Sequence, residues 1–255
     1  MKPYWVSDDG AIEVWNEDTL IALDHFRSLG RSFRCVIMDP PYASGSRTET
    51  GKATSGAMVR GRRWADRPID CDQMTTTGFV WLMRETVLAV REMLGEGDSL
   101  FAFIDWRQWP NLVGAIESCN FRVNAMIVWD KMSFGMGNGF RAQHELILHA
   151  SKGTPRVCSH DVGNVLRCKR DDSELHPSPK PEELIAALLR VTTERGDDVL
   201  DPFMGGGPTL VAGQKMGLRV TGIEGVREHC DTAIGRLGAI TNERAAEPVG
   251  PLFSR

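Results

Sequence analysis

Asp39-Pro40-Pro41-Tyr42 sets a carboxylate, a rigid kink and a phenol ring within four positions, directly after the apolar run Phe33-Arg34-Cys35-Val36-Ile37-Met38. That run reads as a buried strand. Two adjacent prolines cannot continue the ladder of a central strand, so the chain must leave the sheet there. The carboxylate and the ring then stand at the C-terminal end of a strand, the edge at which open α/β sheets bind ligands. A plain proline turn carrying a surface tyrosine would use the same four letters, so the rest of the chain has to decide.

A second constellation is longer. Asp197 to Ala212 reads as a strand, Val199-Leu200-Asp201, then a turn, Pro202-Phe203-Met204-Gly205-Gly206-Gly207, and at once a helix opened by Pro208-Thr209. Proline is tolerated in a first helical turn, and glycines let backbone pass close to a ligand. Leu218 to Ile223 reads as the next strand, ending at Glu224. A carboxylate about 20 residues past the glycine turn is where a nucleotide-binding βαβ unit takes the ribose hydroxyls. The spacing is not G-x-G-x-x-G, and no Lys follows the glycines to meet a triphosphate. An adenosine-containing cofactor without phosphates therefore fits better than a dinucleotide. The alternative is an ordinary βα unit with a tight packing turn.

The elements that must hold these groups alternate. Ala11 to Trp15 reads as a strand; Asp18 can N-cap a helix through Leu20, Leu23 and Phe26 that stops near Gly30. With the strand at 33–38 this is a strand–helix–strand unit of a parallel sheet. Val80, Met83, Val87, Val90 and Leu94 share one face of a helix over 77–94, which Gly95 and Gly97 close. Strands are expected at 99–104, 121–129 and 145–150, a short helix at 108–118, and a helix after Pro181, whose Glu182 and Glu183 suit its first turn. Between two of these strands, Phe134 to Phe140 places three glycines between aromatics. It is either a loop that lets backbone approach a ligand or a flexible connector.

Composition narrows the partners. A chain of 255 residues suits one large α/β domain or two small ones. No run is apolar and long enough for a membrane span, Lys2 to Asp9 does not read as a signal peptide, and a cytoplasmic location is expected. The six cysteines contain no C-x-x-C pair, and Cys158, His160 and Cys168 lack the second half of a zinc site, so no metal is expected. A net charge of −4 restricts any nucleic-acid contact to a local patch. The candidate is the stretch 43–74, where Arg47, Lys52, Arg60, Arg62, Arg63 and Arg67 outnumber Glu49, Asp66 and the acids that close it. It is longer than most loops in compact domains, and such loops are functional or disordered.

Taken in order, these motifs resemble the amino-group DNA methyltransferases that use S-adenosylmethionine, in the permuted beta class, whose catalytic tetrapeptide precedes the cofactor loop. Asp39-Pro40-Pro41-Tyr42 matches D-P-P-Y, and Asp201 to Thr209 resembles D-P-F-x-G-S-G-T-T. His176-Pro177-Ser178-Pro179-Lys180-Pro181 resembles H-P-T-Q-K-P. Trp129-Asp130-Lys131 and Arg141-x-x-His144-Glu145 resemble W-x-K and R-x-x-H-E. Asp18 stands where the family has G-D. Gly206, Pro208, Glu17 and Pro179 depart from the pattern and are expected to tune cofactor affinity rather than abolish it.

The resemblance implies a Rossmann-like α/β fold: a seven-stranded sheet, mostly parallel with one antiparallel strand, and helices on both faces, in a single domain over 1–255. It implies S-adenosylmethionine held by Asp18, Lys180, Asp201, Phe203, Gly205, Gly207, Thr209 and Glu224. It implies double-stranded DNA as partner, and leaves room for a homodimer and a partner endonuclease. Catalysis would fall to Asp39, Pro40, Pro41 and Tyr42. Asp39 and a proline-fixed carbonyl would accept from the two amino hydrogens of a flipped base and localise the nitrogen lone pair. Tyr42 would stack on that base, with Phe134 or Phe140 on its other side. The segment 151–175 is short for target recognition, so sequence reading is expected to be shared with 43–74. D-P-P-Y favours adenine N6 over cytosine N4, and the absence of any Pro-Cys speaks against cytosine C5. Methylation of RNA or of a protein amide, and a catalytically silent DNA-binding subunit, are the rival readings.

Overall fold

The computed structural model describes residues 1–43, 74–135, 139–170 and 180–246, the last eight of them as backbone. The elements run β1 (Trp5–Val6), β2 (Ile12–Asn16), α1 (Thr19–Ser28), β3 (Phe33–Met38), α2 (Thr76–Met93), β4 (Leu94–Ile104), α3 (Trp109–Ser118) and β5 (Arg122–Asp130). They continue with β6 (His144–Ser151), β7 (Val165–Arg167), α4 (Glu182–Thr192), β8 (Asp198–Asp201), α5 (Pro208–Met216), β9 (Arg219–Glu224) and α6 (Arg227–Ala246). The strands form one mixed sheet in the order β1-β2-β9-β8-β3-β4-β6-β5-β7.

The sheet therefore has nine strands among the described residues, not the expected seven. Two very short strands are added at its edges, β1 with two residues and β7 with three. The pairs β2–β9, β9–β8, β8–β3 and β3–β4 are parallel. β6 runs against both β4 and β5, and β1 against β2, so two strands rather than one are antiparallel to the rest.

All six residues of β3 are buried, because helices cover both faces. Val36 and Met38 enter a core with Leu23 and Phe26 of α1 and Phe79, Met83 and Val87 of α2. Cys35 and Ile37 enter a second core with Leu184 and Leu188 of α4 and Leu210 and Val211 of α5. Asp18 caps α1, accepting from Leu20 N at 2.9 Å and Ile21 N at 3.3 Å.

Gly95 and Gly97 do not follow α2 as a cap; they lie inside β4. Phe33 pairs with Leu94 and Cys35 with Ser99, so residues 95–98 bulge against a single residue of β3. Gly97 has φ +83°, and a Cβ there would come within 2.9 Å of the Thr154 carbonyl.

Two crossovers fix where a ligand can sit. β8 leads through α5 to β9 on one side, while β3 leads through α2 to β4 on the other. The order reverses between β8 and β3, which makes the crevice at their C-terminal ends the topological switch point. Val36 pairs with Leu200, so Asp39 and the turn after Asp201 leave the sheet side by side. Among the described residues no helix is long and apolar enough to cross a membrane.

Candidate active site

Asp39 stands where β3 ends, and each of its carboxylate oxygens has a partner. The Tyr42 hydroxyl donates to Oδ1 at 2.8 Å, and Lys180 Nζ lies 2.8 Å from Oδ2. Lys180 immediately precedes Pro181, the N-cap of α4, so the N-terminus of that helix stands at this edge. Its ammonium also lies 3.3 Å from Glu145 Oε2 and 5.3 Å from the centres of the Tyr42 and Phe103 rings. Glu145, on β6, binds Lys131 through Oε1, and its Oε2, 3.2 Å from the Tyr42 hydroxyl, shares the single proton that the phenol gives to Asp39.

The charges of Glu145 and Lys180 sustain each other, while at Lys131 burial outweighs Glu145 and lowers the pKa. Burial by itself would raise the Glu145 carboxyl, but the Lys180 and Lys131 ammonium groups outweigh it and hold the pKa at about 2. Burial works against the charge on Lys180, and the carboxylates of Asp39 and Glu145 overcome it, so its pKa is raised. Burial, with the same two carboxylates, lifts the Tyr42 phenol well above its ordinary value and keeps it a neutral donor. Sequence reading assigned Lys180 to the cofactor and gave Glu145 and Lys131 no role. Only their places in R-x-x-H-E and W-x-K marked them.

The glycine turn lies beside this cluster. Gly205 and Gly207 have φ of +50° and +74°, and Gly207 is the N-cap of α5. A Cβ on Gly207 would lie 2.6 Å from the Ala233 Cβ of α6. Glu224 ends β9 and faces the turn: its Oε2 accepts from Gly205 N at 3.1 Å and its Oε1 from Val226 N at 2.8 Å. Burial would raise this carboxyl too, yet bonds from His229, Val226 N and Gly205 N bring it below its ordinary value. A glycine cradle at a helix N-terminus with a charged acid opposite fits an adenosine-containing cofactor that bears no phosphates.

Of the residues expected to touch that cofactor, Asp201 and Thr209 are engaged with each other, while Asp18, exposed at the start of α1, uses one of its two carboxylate oxygens as a helix cap. Asp201 and Thr209 are 3% and 1% exposed and bond to each other, and Asp201 Oδ1 accepts from Phe203 N at 3.0 Å. They brace the turn from behind, while Phe203 and Gly205 are only partly buried. Asp18 spends Oδ1 on the N-cap of α1. The next residue, Thr19, donates to the Pro202 carbonyl at 2.7 Å and so ties α1 to the turn.

Of the residues expected at DNA, Arg47, Lys52, Arg60, Arg62 and Arg63 lie outside the described residues, as does nearly all of the stretch 43–74. Phe134 and Phe140 sit on the β5–β6 connection, which opens at the same edge as Asp39. They are 58% and 108% exposed, and the Arg141 guanidinium lies 3.6 Å from the centre of the Phe134 ring. Sequence reading missed Trp106, which follows β4 at this edge and is 58% exposed, with Arg107 stacked on it at 5.1 Å. The segment 151–175 divides. Arg156 N bonds Gly97 O at 2.9 Å, and Arg156 O accepts from Arg34, at the far edge of the sheet. β7 then brings Arg167 back to the site edge, beside Asp130.

Comparison with known proteins agrees with this geometry. The family model described as DNA methylase, covering N6 and N4 enzymes, matches residues 33–235. The type II methyltransferase M2.MboI of Moraxella bovis is 22% identical over 262 residues, covering 94% of this chain and 93% of its own. Among solved structures, the PvuII DNA methyltransferase, cytosine-N4-specific, superposes with a TM-score of 0.71 at 16% identity, covering 94% of this chain and 93% of that one. The complex of M1.HpyAVI with SAM gives 0.65 at 21% identity, covering 88% of this chain and 99% of that one. These structural likenesses establish a shared α/β methyltransferase fold, and the match over 33–235 shows that the chain belongs to the DNA methylase family, which holds both N6 and N4 types.

Proposed function

We propose that this protein methylates the exocyclic amino group of a base flipped out of double-stranded DNA, with S-adenosylmethionine as donor and adenine N6 as acceptor, and that it belongs to the permuted beta class. The observation that carries this reading is Asp39 at the switch point, next to a glycine turn faced by Glu224. Glu224 would hold the ribose hydroxyls, and Gly205, Gly207, Phe203 and Asp18 would surround the rest of the cofactor. S-adenosylmethionine supplies a methyl group on a sulfonium: the carbon–sulfur bond breaks as the carbon–nitrogen bond forms, and sulfur keeps the electron pair.

The residues of this chain prepare the nitrogen. Asp39 accepts one amino hydrogen and a carbonyl of the Pro40-Pro41 kink accepts the other, so the lone pair is withdrawn from the ring and aimed. Tyr42, its hydroxyl held by Asp39 and Glu145, offers its ring face to the base. The extra proton leaves the methylated nitrogen to Asp39 or to water. The stretch 43–74, the aromatics Phe134 and Phe140, and the residues after β7 would contact the duplex. Cytosine N4 is the second reading, because the family holds both types.

Labelled-methyl transfer to duplex DNA, RNA and protein tests this directly. Label is expected on DNA, as N6-methyladenine after hydrolysis, and Asp39→Ala should abolish it while still binding the cofactor. Label only on RNA or protein, or undiminished transfer by Asp39→Ala, would overturn the reading.

A further inference from the structure

Lys131 has no part in the reaction as just described and Glu145 only a bond to the Tyr42 hydroxyl, yet both are withdrawn from solvent beside it. Lys131 follows the last residue of β5 and Glu145 is the second residue of β6. The register sets Trp129 opposite Glu145 and Asp130 opposite His144, at the edge where β3 ends. Glu145 touches Lys131 with one oxygen. With the other it meets Lys180, at 3.3 Å, and the Tyr42 hydroxyl, at 3.2 Å. Lys180 and Tyr42 each contact the Asp39 carboxylate at 2.8 Å. Among the described residues, both side chains that contact the Asp39 carboxylate are thus themselves in contact with Glu145.

We propose that Glu145 is a positioning residue of methyl transfer: it balances the charges of Lys131 and Lys180 and anchors the Tyr42 hydroxyl, so that Asp39 keeps a carboxylate lone pair free for the base. The inference rests on the reading of Asp39 given above. The cluster contains two carboxylates, Asp39 and Glu145, and two ammonium groups, Lys131 and Lys180. Positive charge grows on the amine nitrogen next to Asp39, so an uncompensated ammonium there opposes the transition state. With Glu145 neutral, Lys131 would lose its carboxylate partner, and Lys180, left to Asp39 alone, would compete with the amino hydrogen for it. A buried charge left without its partner is the unfavourable case, whereas removal of a whole pair is tolerated.

That asymmetry supplies the test. Steady-state methylation of duplex DNA would be measured for wild type, Glu145→Gln, the double variant Glu145→Gln/Lys131→Met, and Asp39→Ala, with cofactor binding by calorimetry and melting temperature alongside. Glu145→Gln should lower kcat on the order of a hundredfold, with KM for DNA and the cofactor Kd changed by less than about threefold. The double variant, which again has equal charges, should recover at least about tenfold of that loss. A purely structural pair would show its loss and rescue in melting temperature and leave the kcat of the folded single variant near wild type. Wild-type kcat in Glu145→Gln, or a double variant that melts like wild type yet is no faster than the single, overturns the proposal. Should Glu145→Gln fail to fold, the double variant decides alone: kcat within about tenfold of wild type supports the proposal, and a hundredfold loss in a folded protein overturns it. Undiminished transfer by Asp39→Ala would defeat the underlying reading and this proposal with it. An inactive Asp39→Ala beside a fully active Glu145→Gln would defeat this proposal alone.

Discussion

Asp201 ends β8 between two other acids. Burial raises its pKa to about 7, and the Asp39 and Glu224 carboxylates add to the effect against bonds from Thr209 and Phe203 N. The folded pKa lies above the unfolded value of 3.8, so between these two the folded chain keeps a proton that the unfolded chain has released. The linked stability is fully present below about pH 4 and is lost as pH rises through about 7, a difference on the order of 4 kcal/mol. His149 works in the opposite sense: burial lowers its pKa from 6.5 to about 4, and its contribution grows over that range. Only a difference between variants isolates Asp201. Asp201→Asn keeps an acceptor for Phe203 N–H and removes the charge. Its melting temperature relative to wild type should rise steadily from pH 4 to pH 7.5 in differential scanning fluorimetry. A pH-independent difference would mean that Asp201 is already ionised in the fold at pH 4. At this scale the sequence disclosed the letters but not which of them face a ligand. Asp201 and Thr209 stand in the motif yet brace it, and Glu145 gains its importance only when β6 is laid beside β5, a contact that spacing along the chain does not encode.

At the scale of elements, legibility followed burial. β3, β6, β8 and β9 are mostly buried runs, and all appear within a residue or two of the expected bounds. β1 and β7 were invisible because two or three residues carry no period, and the partner strand alone makes them strands. Gly95 and Gly97 misled because a glycine suits both a helix cap and a strand bulge. The turn after β8 shows what a glycine is for when its position is fixed. Gly207 has φ +74°, and its missing Cβ is the room in which α6 packs. Gly207→Ala should therefore destabilise the protein by about 1–3 kcal/mol and weaken cofactor binding, as read by urea unfolding and calorimetry. Gly114, exposed on α3 with open space around it, provides the contrast. Ala at that position should stabilise by about 0.5–1 kcal/mol and leave cofactor binding unchanged. Equal effects at the two sites would remove the case for a packed turn.

For the whole molecule the question is how a chain of net charge −4 holds a polyanion. Long-range attraction is against it, so affinity must come from cations gathered at one edge. The C-terminal ends of β3, β4, β5 and β7 share that edge. From it project Trp106 with Arg107, Phe134 with Arg141, and Arg167. Pairing a guanidinium with an exposed ring gives two separable contributions, phosphate contact and base stacking, and salt distinguishes them. A lost phosphate contact flattens the dependence of log K on log salt by about 0.9, whereas a lost stacking contact weakens binding by about 1–3 kcal/mol at every salt concentration. Arg141→Ala should therefore bind duplex DNA more weakly at low salt and with a shallower slope. Trp106→Ala should shift the whole line without changing its slope. Neither side chain is part of a core, so both variants should melt like wild type and keep their cofactor affinity. Fluorescence anisotropy across a salt series reads both effects. Wild-type affinity and slope in both variants would mean that the duplex approaches from another side, and that the aromatic rim around Asp39 does not meet it.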